Sequence, residues 1–178
     1  MAGFPVRVAR EPGPMSTKRR SYEAGHTPKF LVVIDDSPEC DRALYFASRR
    51  ALRVGAGVVM LRVVETHDRN QQWLGVADIM RAEAHEQANA VLDRHGARSS
   101  SITGMMPERV IREGDKADEM LKLIDEDEDI AAVILAAGAG DEGPGPLVSS
   151  LAKSAGTFPI PVAIVPGHLS DEDLDSMS

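Results

Sequence analysis

Hydrophobic residues along this chain gather in short unbroken runs, separated by longer segments in which apolar positions recur every three or four residues. The first run, "KFLVVID" at residues 29–35, has no polar alternation and ends in acid, the pattern of a strand covered on both faces. "VVMLRVV" (58–64), "RVIRE" (109–113), "AAVILAA" (131–137) and "IPVAIV" (160–165) are the other predicted strands. Between them the period is helical. "DSPECDRALYFASRRALRVGAG" places Ser37 as N-cap, Pro38 at the first helical position, and Gly55 and Gly57 at the end. Cys40, Ala43, Leu44, Ala47, Ala51 and Val54 share its buried face. A long helix from Val76 to His95 is predicted to bury Val76, Met80, Ala84, Ala88, Val91 and Leu92, with "SSSITGMMPE" as a connector. Gly114 turns the chain into "DKADEMLKLI", with Ala117, Met120, Leu121 and Ile124 on one face, and "LVSSLAKSAG" is the fourth helix.

Strands alternating with helices predict an α/β fold: a three-layer, doubly wound, five-stranded parallel sheet with four main helices and right-handed crossovers. With strand order 3-2-1-4-5, strands one and four are neighbours. "IDDSPE" and "AGAGDEGPG" then face each other across a crevice at the carboxyl ends of the strands, where such folds bind ligands.

Composition narrows the function. The 178 residues suit one domain, and aromatics at 4% leave no stacking platforms for single-stranded nucleic acid. A net charge of −8 opposes binding to nucleic acid or an anionic membrane. Residues 1–28 run against this trend, with Arg7, Arg10, Lys18, Arg19 and Arg20 facing only Glu11 and Glu23. They are expected to be a disordered basic arm; "TKRRS" is a contact for an acidic partner or a phosphorylation target, or plainly a solvated tail. The domain is expected over residues 29–167, and residues 168–178 form an acidic tail. The arm has no continuous apolar segment, and the single Cys40 excludes an intrachain disulfide or a multi-cysteine zinc site, so the expected compartment is the cytoplasm.

Chemistry-bearing residues are few. His26, His67, His85, His95 and His168 show no ligand spacing, and "DEDED" at 125–129 lacks the glycine and the bidentate Glu of a calcium loop, which leaves it a solvated turn. Cys40 reads as a packed thiol. Gly138-x-Gly140-x-x-Gly143 satisfies the dinucleotide string, but it falls in the last βα unit, carries Asp141 and Glu142 where a pyrophosphate would lie, and has no ribose-binding acid downstream. No Walker lysine follows either.

The arrangement of "FLVVIDDSPECDRALYFA", "MLRVVE", "IREGDKADEML" and "FPIPVAIVP" resembles the universal stress protein family over Lys29 to Pro166. Arg62 stands where that family usually has His. Nucleotide-binding members carry Gly-x-x-Gly, nine residues, then Gly-Ser or Gly-Thr. This chain offers Ala136, Ala139, Ser149 and Ser150 there, or Val148 and Ser149 as the last pair when anchored on Pro159 and Pro161, so the motif is degenerate. The resemblance implies Asp35 beside an adenosine, the backbone of Val63 bordering the adenine, and Ser149 or Ser150 donating to phosphate. Asp35, Ser37, Val63, Ala136, Gly138, Gly140, Ser149 and Ser150 are the candidate nucleotide-binding residues, with no catalytic residue and no metal ligand. Each has a plainer reading: Ser37 as a helix cap, the two serines as first-turn residues, Asp35 bonding its own loop amides. The resemblance implies a cytoplasmic stress-response protein that binds ATP, with Mg²⁺, or another adenine nucleotide between strands one and four. It also implies a homodimer joined through the last strand, Pro159 to Pro166, acting on an unidentified protein partner, with at most weak ATP hydrolysis. The alternative is a member that binds no nucleotide and acts as a protein-interaction module.

Overall fold

The computed structural model describes residues 18–65 and 74–178. Five strands, β1 (Lys29–Val33), β2 (Gly57–Val64), β3 (Glu108–Glu113), β4 (Ile130–Ala137) and β5 (Val162–Pro166), form one parallel sheet in the order β3-β2-β1-β4-β5. The helices are α1 (Cys40–Val54), α2 (Leu74–Thr103), α3 (Lys116–Glu126), α4 (Pro146–Ser154) and α5 (Asp171–Met177). The predicted order and four-helix layout stand, with α5 added.

Unbroken aliphatic strands follow from burial on both sides. Phe30, Val32, Ile34, Val58 and Met60 point into one core with α1, α2 and α5, while Leu31, Val33, Val59, Leu61 and Val63 point into a second with α3 and α4.

Helix boundaries and faces depart from expectation in four places. Helix α1 starts at Cys40 with Glu39 at its N-cap, and no side chain caps it. Ser37 is not the cap, because its own amide donates to Asp35 Oδ1 at 2.9 Å and the segment forms a turn. Val54, at the far end of α1, is 40% exposed. Helix α2 absorbs much of the predicted connector and runs to Thr103. Its 30 residues span ~45 Å, whereas the eight residues of β2 span ~26 Å, so its N-terminal half extends past the sheet. Ala88 and Leu92 are buried as predicted, but Val76 and Met80 are 51% and 63% exposed. Helix α3 is capped by Asp115, whose carboxylate accepts from the Ala117 and Asp118 amides, and it buries Met120, Leu123 and Ile124 rather than Leu121.

Both ends of the described chain are packed. Residues 1–17 of the expected arm and the loop at 66–73, including His67, lie outside the described residues. Residues 18–28 do not fit the expectation of disorder. The Arg20 amide and Ser21 Oγ donate to the Glu128 carbonyl, Arg19 donates to the Ile124 and Asp127 carbonyls, and His26 Nδ1 lies 2.6 Å from Asp129. "DEDED" is therefore a grip for this segment, not only a solvated turn. The acidic tail is likewise a helix with a Ser170–Asp173 capping box, and Leu174 is buried in the α1 core.

Candidate functional site

Parallel pairing of β1 with β4 brings the loops that follow Val33 and Ala137 to the same end of the sheet. Between them lies a crevice enclosing about 80 Å³, lined by Asp35, Ser37, Glu39, Cys40, Ala136, Lys116 and the segment Pro144–Val148. Helix α4 begins at its wall. The helix opens with Pro146, which has no amide hydrogen, and Ser149 N already donates to the Gly145 carbonyl at 3.0 Å. The Leu147 and Val148 amides are left without a backbone acceptor among the described residues, at the positive end of the helix.

The glycine-rich loop folds on itself. Gly138 N donates to the Pro144 carbonyl and Gly143 N to the Gly140 carbonyl, while Gly143 and Gly145 adopt φ of 86° and 95° to reverse the chain. A side chain at Gly138 would place its Cβ 2.8 Å from the Gly143 carbonyl and 3.1 Å from Glu39 Oε1. Gly138 is thus required by close approach, and its amide serves the loop. Gly140 stands in open space.

Charge around the crevice is unevenly satisfied. Asp36 pairs with Arg62 Nη2 at 2.6 Å, and Arg62 also donates to the Ile34 carbonyl, so the arginine that replaces the family's histidine ties down the second acid. Lys116 is the cation of the lining, 3.2 Å from Glu65. Asp141 and Glu142 are exposed and outside the lining. Burial pushes the Cys40 thiol up to about 12, only partly opposed by the Asp35 backbone, which keeps it protonated near neutral pH. Among the described residues no group of three His, Cys, Asp or Glu is placed to hold a metal ion.

The structure brings Asp35, Ser37 and Ala136 together in the crevice, with Gly138 behind its wall. Val63 lies beyond the last β1–β2 pair, Val33↔Leu61, with its side chain in the core. Ser149 and Ser150 are exposed on α4 and do not line the crevice. Glu39, Lys116, Leu147 and Val148 are lining residues that the sequence reading did not propose as ligand contacts. The alignment anchored on the two prolines did carry a signal for Val148.

Comparisons with known proteins agree with this fold. A family model described as "Universal stress protein family" matches residues 27–166. The chain is similar to the universal stress protein UspA from Lactobacillus plantarum, at 16% identity and a TM-score of 0.67, covering 78% of this chain and 97% of that one. A universal stress protein solved in complex with cAMP is similar at 18% identity and a TM-score of 0.56, covering 78% and 96%. A family protein from Arabidopsis thaliana with AMP bound is similar at 18% identity and a TM-score of 0.53, covering 82% and 94%. No curated protein matches the chain.

Proposed function

The chain belongs to the universal stress protein family, and from that premise we propose that it is a dimeric, cytoplasmic regulatory protein that binds an adenine nucleotide between β1 and β4. The observation that carries this reading is that Asp35, Ser37, Ala136 and the amino end of α4 line one crevice at the topological switch point of the sheet. Relatives solved with cAMP and AMP support the ligand class. Asp35 is the acceptor for nucleoside hydroxyls, and the Leu147 and Val148 amides with Lys116 are the donors for phosphate. Ser149 and Ser150 are placed further along α4, where they assist only if the loop shifts. Mg²⁺ would offset charge on any longer phosphate chain.

Assembly follows from the exposed edge of the sheet. Strand β5 is an edge strand in which Ile164 is 46% exposed, flanked by the exposed Pro159, Pro161 and Pro166. Pairing of this edge with a second copy would cover it. Among the described residues no helix is long and apolar enough to cross a membrane.

Calorimetric titration of AMP into the wild-type protein and into Asp35→Ala tests the reading. Heat that is lost in the variant supports it. Absence of heat with any adenine nucleotide would favour the interaction module instead, a reading consistent with the loop's amides bonding its own carbonyls.

A further inference from the structure

Resting on the nucleotide reading above, we propose that Glu39 sets the number of phosphates the crevice accepts: it admits an adenine nucleoside monophosphate and turns away the di- and triphosphate. Three observations converge on this residue. Its side chain lines the crevice, half-buried. Its carboxylate has no hydrogen bond or ion pair among the described residues, whereas Asp35 accepts from the Ser37 amide and Asp36 is held by Arg62. The stem is also packed in place. A Cβ at Gly167 would come within 2.8 Å of Glu39 Cβ, and one at Gly138 within 3.1 Å of Glu39 Oε1, so two glycines leave the room this side chain fills. The fold makes space for a charge that has no partner among the described residues.

The donors opposite are enough for one phosphate. Lys116 and the amides of Leu147 and Val148 can meet a single phosphoryl group, and Pro146 removes the donor that another residue would supply at that turn. The enclosed 80 Å³ is small beside typical ligand pockets of roughly 300–1,000 Å³, so it takes one end of a nucleotide while the rest lies in the open crevice. Among the described residues the lining holds no cation besides Lys116, so each further phosphate adds negative charge, and the growing chain meets a carboxylate that is only half exposed to screening water. At such short range an unfavourable charge pair weakens binding by roughly tenfold or more. Glu39 acts here through selectivity, not through stability.

The experiment is calorimetric titration of AMP, ADP and ATP, in EDTA and in Mg²⁺, into wild-type protein, Glu39→Gln and Asp141→Asn. The wild type is expected to bind AMP tightest and ATP at least roughly tenfold more weakly in EDTA, with a smaller gap in Mg²⁺ and at high salt. Glu39→Gln, nearly the same shape without the charge, should narrow the gap by tightening ATP more than AMP. Asp141→Asn, a charge removed from outside the lining, should leave the gap as it was. ATP binding as tightly as AMP in EDTA, or a gap unchanged in Glu39→Gln, would overturn the role of Glu39 and leave nucleotide binding standing. No heat with any nucleotide on either the wild type or Glu39→Gln would overturn the nucleotide reading itself.

Discussion

Helix α1 serves two regions that treat charge in opposite ways. At its amino end Glu39 faces the crevice without a partner among the described residues, and Lys116 is the cation of the described lining. Along its outer face Arg42, Tyr45, Arg49 and Arg53 meet the acidic helix α5, and nearly every charge there is matched. Arg42 pairs with Asp41 and with Asp171 at 2.7 Å, and it donates to the Leu169 carbonyl. Arg98, from α2, reaches Asp41 and Asp171 at 3.2 and 3.0 Å and lies 4.8 Å from the centre of the Tyr45 ring. The Tyr45 hydroxyl donates to Asp175, Arg49 pairs with Asp175, and Arg53 donates to the Asp175 and Ser178 carbonyls. Leu174 anchors the centre of this contact in the core. The contrast teaches that this chain, acidic as a whole, collects its arginines where a helix must be held and leaves a carboxylate unmatched where a ligand is expected to arrive.

The largest effect that would break this comparison is removal of the apolar anchor. Leu174→Ala should cost about 2–5 kcal/mol, seen as a lower thermal midpoint and as loss of amide-exchange protection over residues 168–178, while AMP binding at the crevice persists. If AMP binding disappears as well, the two regions are not independent, and the Gly167 turn, whose amide bonds the Ala137 carbonyl, is the connection. Next in size is Gly138→Ala, which drives a Cβ against the Gly143 carbonyl and Glu39 and should cost about 1–3 kcal/mol. Its protection loss should fall on residues 138–146 and spare α5. Arg98→Ala removes two partly buried ion pairs and a ring contact, worth about 1 kcal/mol in all, and should loosen α5 in exchange measurements without altering nucleotide affinity.

The smallest effect is the pH dependence of the α5 contact. Burial pushes the Asp171 carboxyl up, but the Arg98 and Arg42 guanidiniums outweigh it and hold its pKa below the ordinary carboxylate value. A group depressed in the folded state contributes stability that is complete above the unfolded value, about 3.9 for Asp, and is lost as pH falls through the folded value. Protection of α5 should therefore be level from neutral pH down to the ordinary carboxylate value and fall only below it, in the range where Asp171 takes up its proton. A fall beginning near neutrality would show that another group holds the helix.

Much of the fold was legible because its signals are local. Runs such as "KFLVVID" and "AAVILAA" have no polar face to give to water, so they had to be central strands, and their alternation with helical periods implied the parallel order. Helix faces were less legible. The i+4 ladder of α2 predicts burial that holds at Ala88 and Leu92 but not at Val76 and Met80, since periodicity shows which face is apolar and not how far the sheet beneath it extends. At the crevice, residues of "IDDSPE" and "AGAGDEGPG" share one lining, as the strand order implies, whereas Ser149 and Ser150 stand exposed on α4 outside it.

By itself the sequence determined the kind and order of the elements, the neighbourhood of the first and fourth strands, and the need for an aliphatic core, because each depends on short-range periodicity and on covering apolar surface. Only the tertiary structure decided which charges are satisfied. Arg98 finds Asp171 across 73 residues and Tyr45 finds Asp175 across 130, while Glu39, in the same turn that holds Asp35, finds no partner among the described residues. Coulombic and hydrogen-bonding partners are set by distance in space, and such proximity leaves no period along the chain.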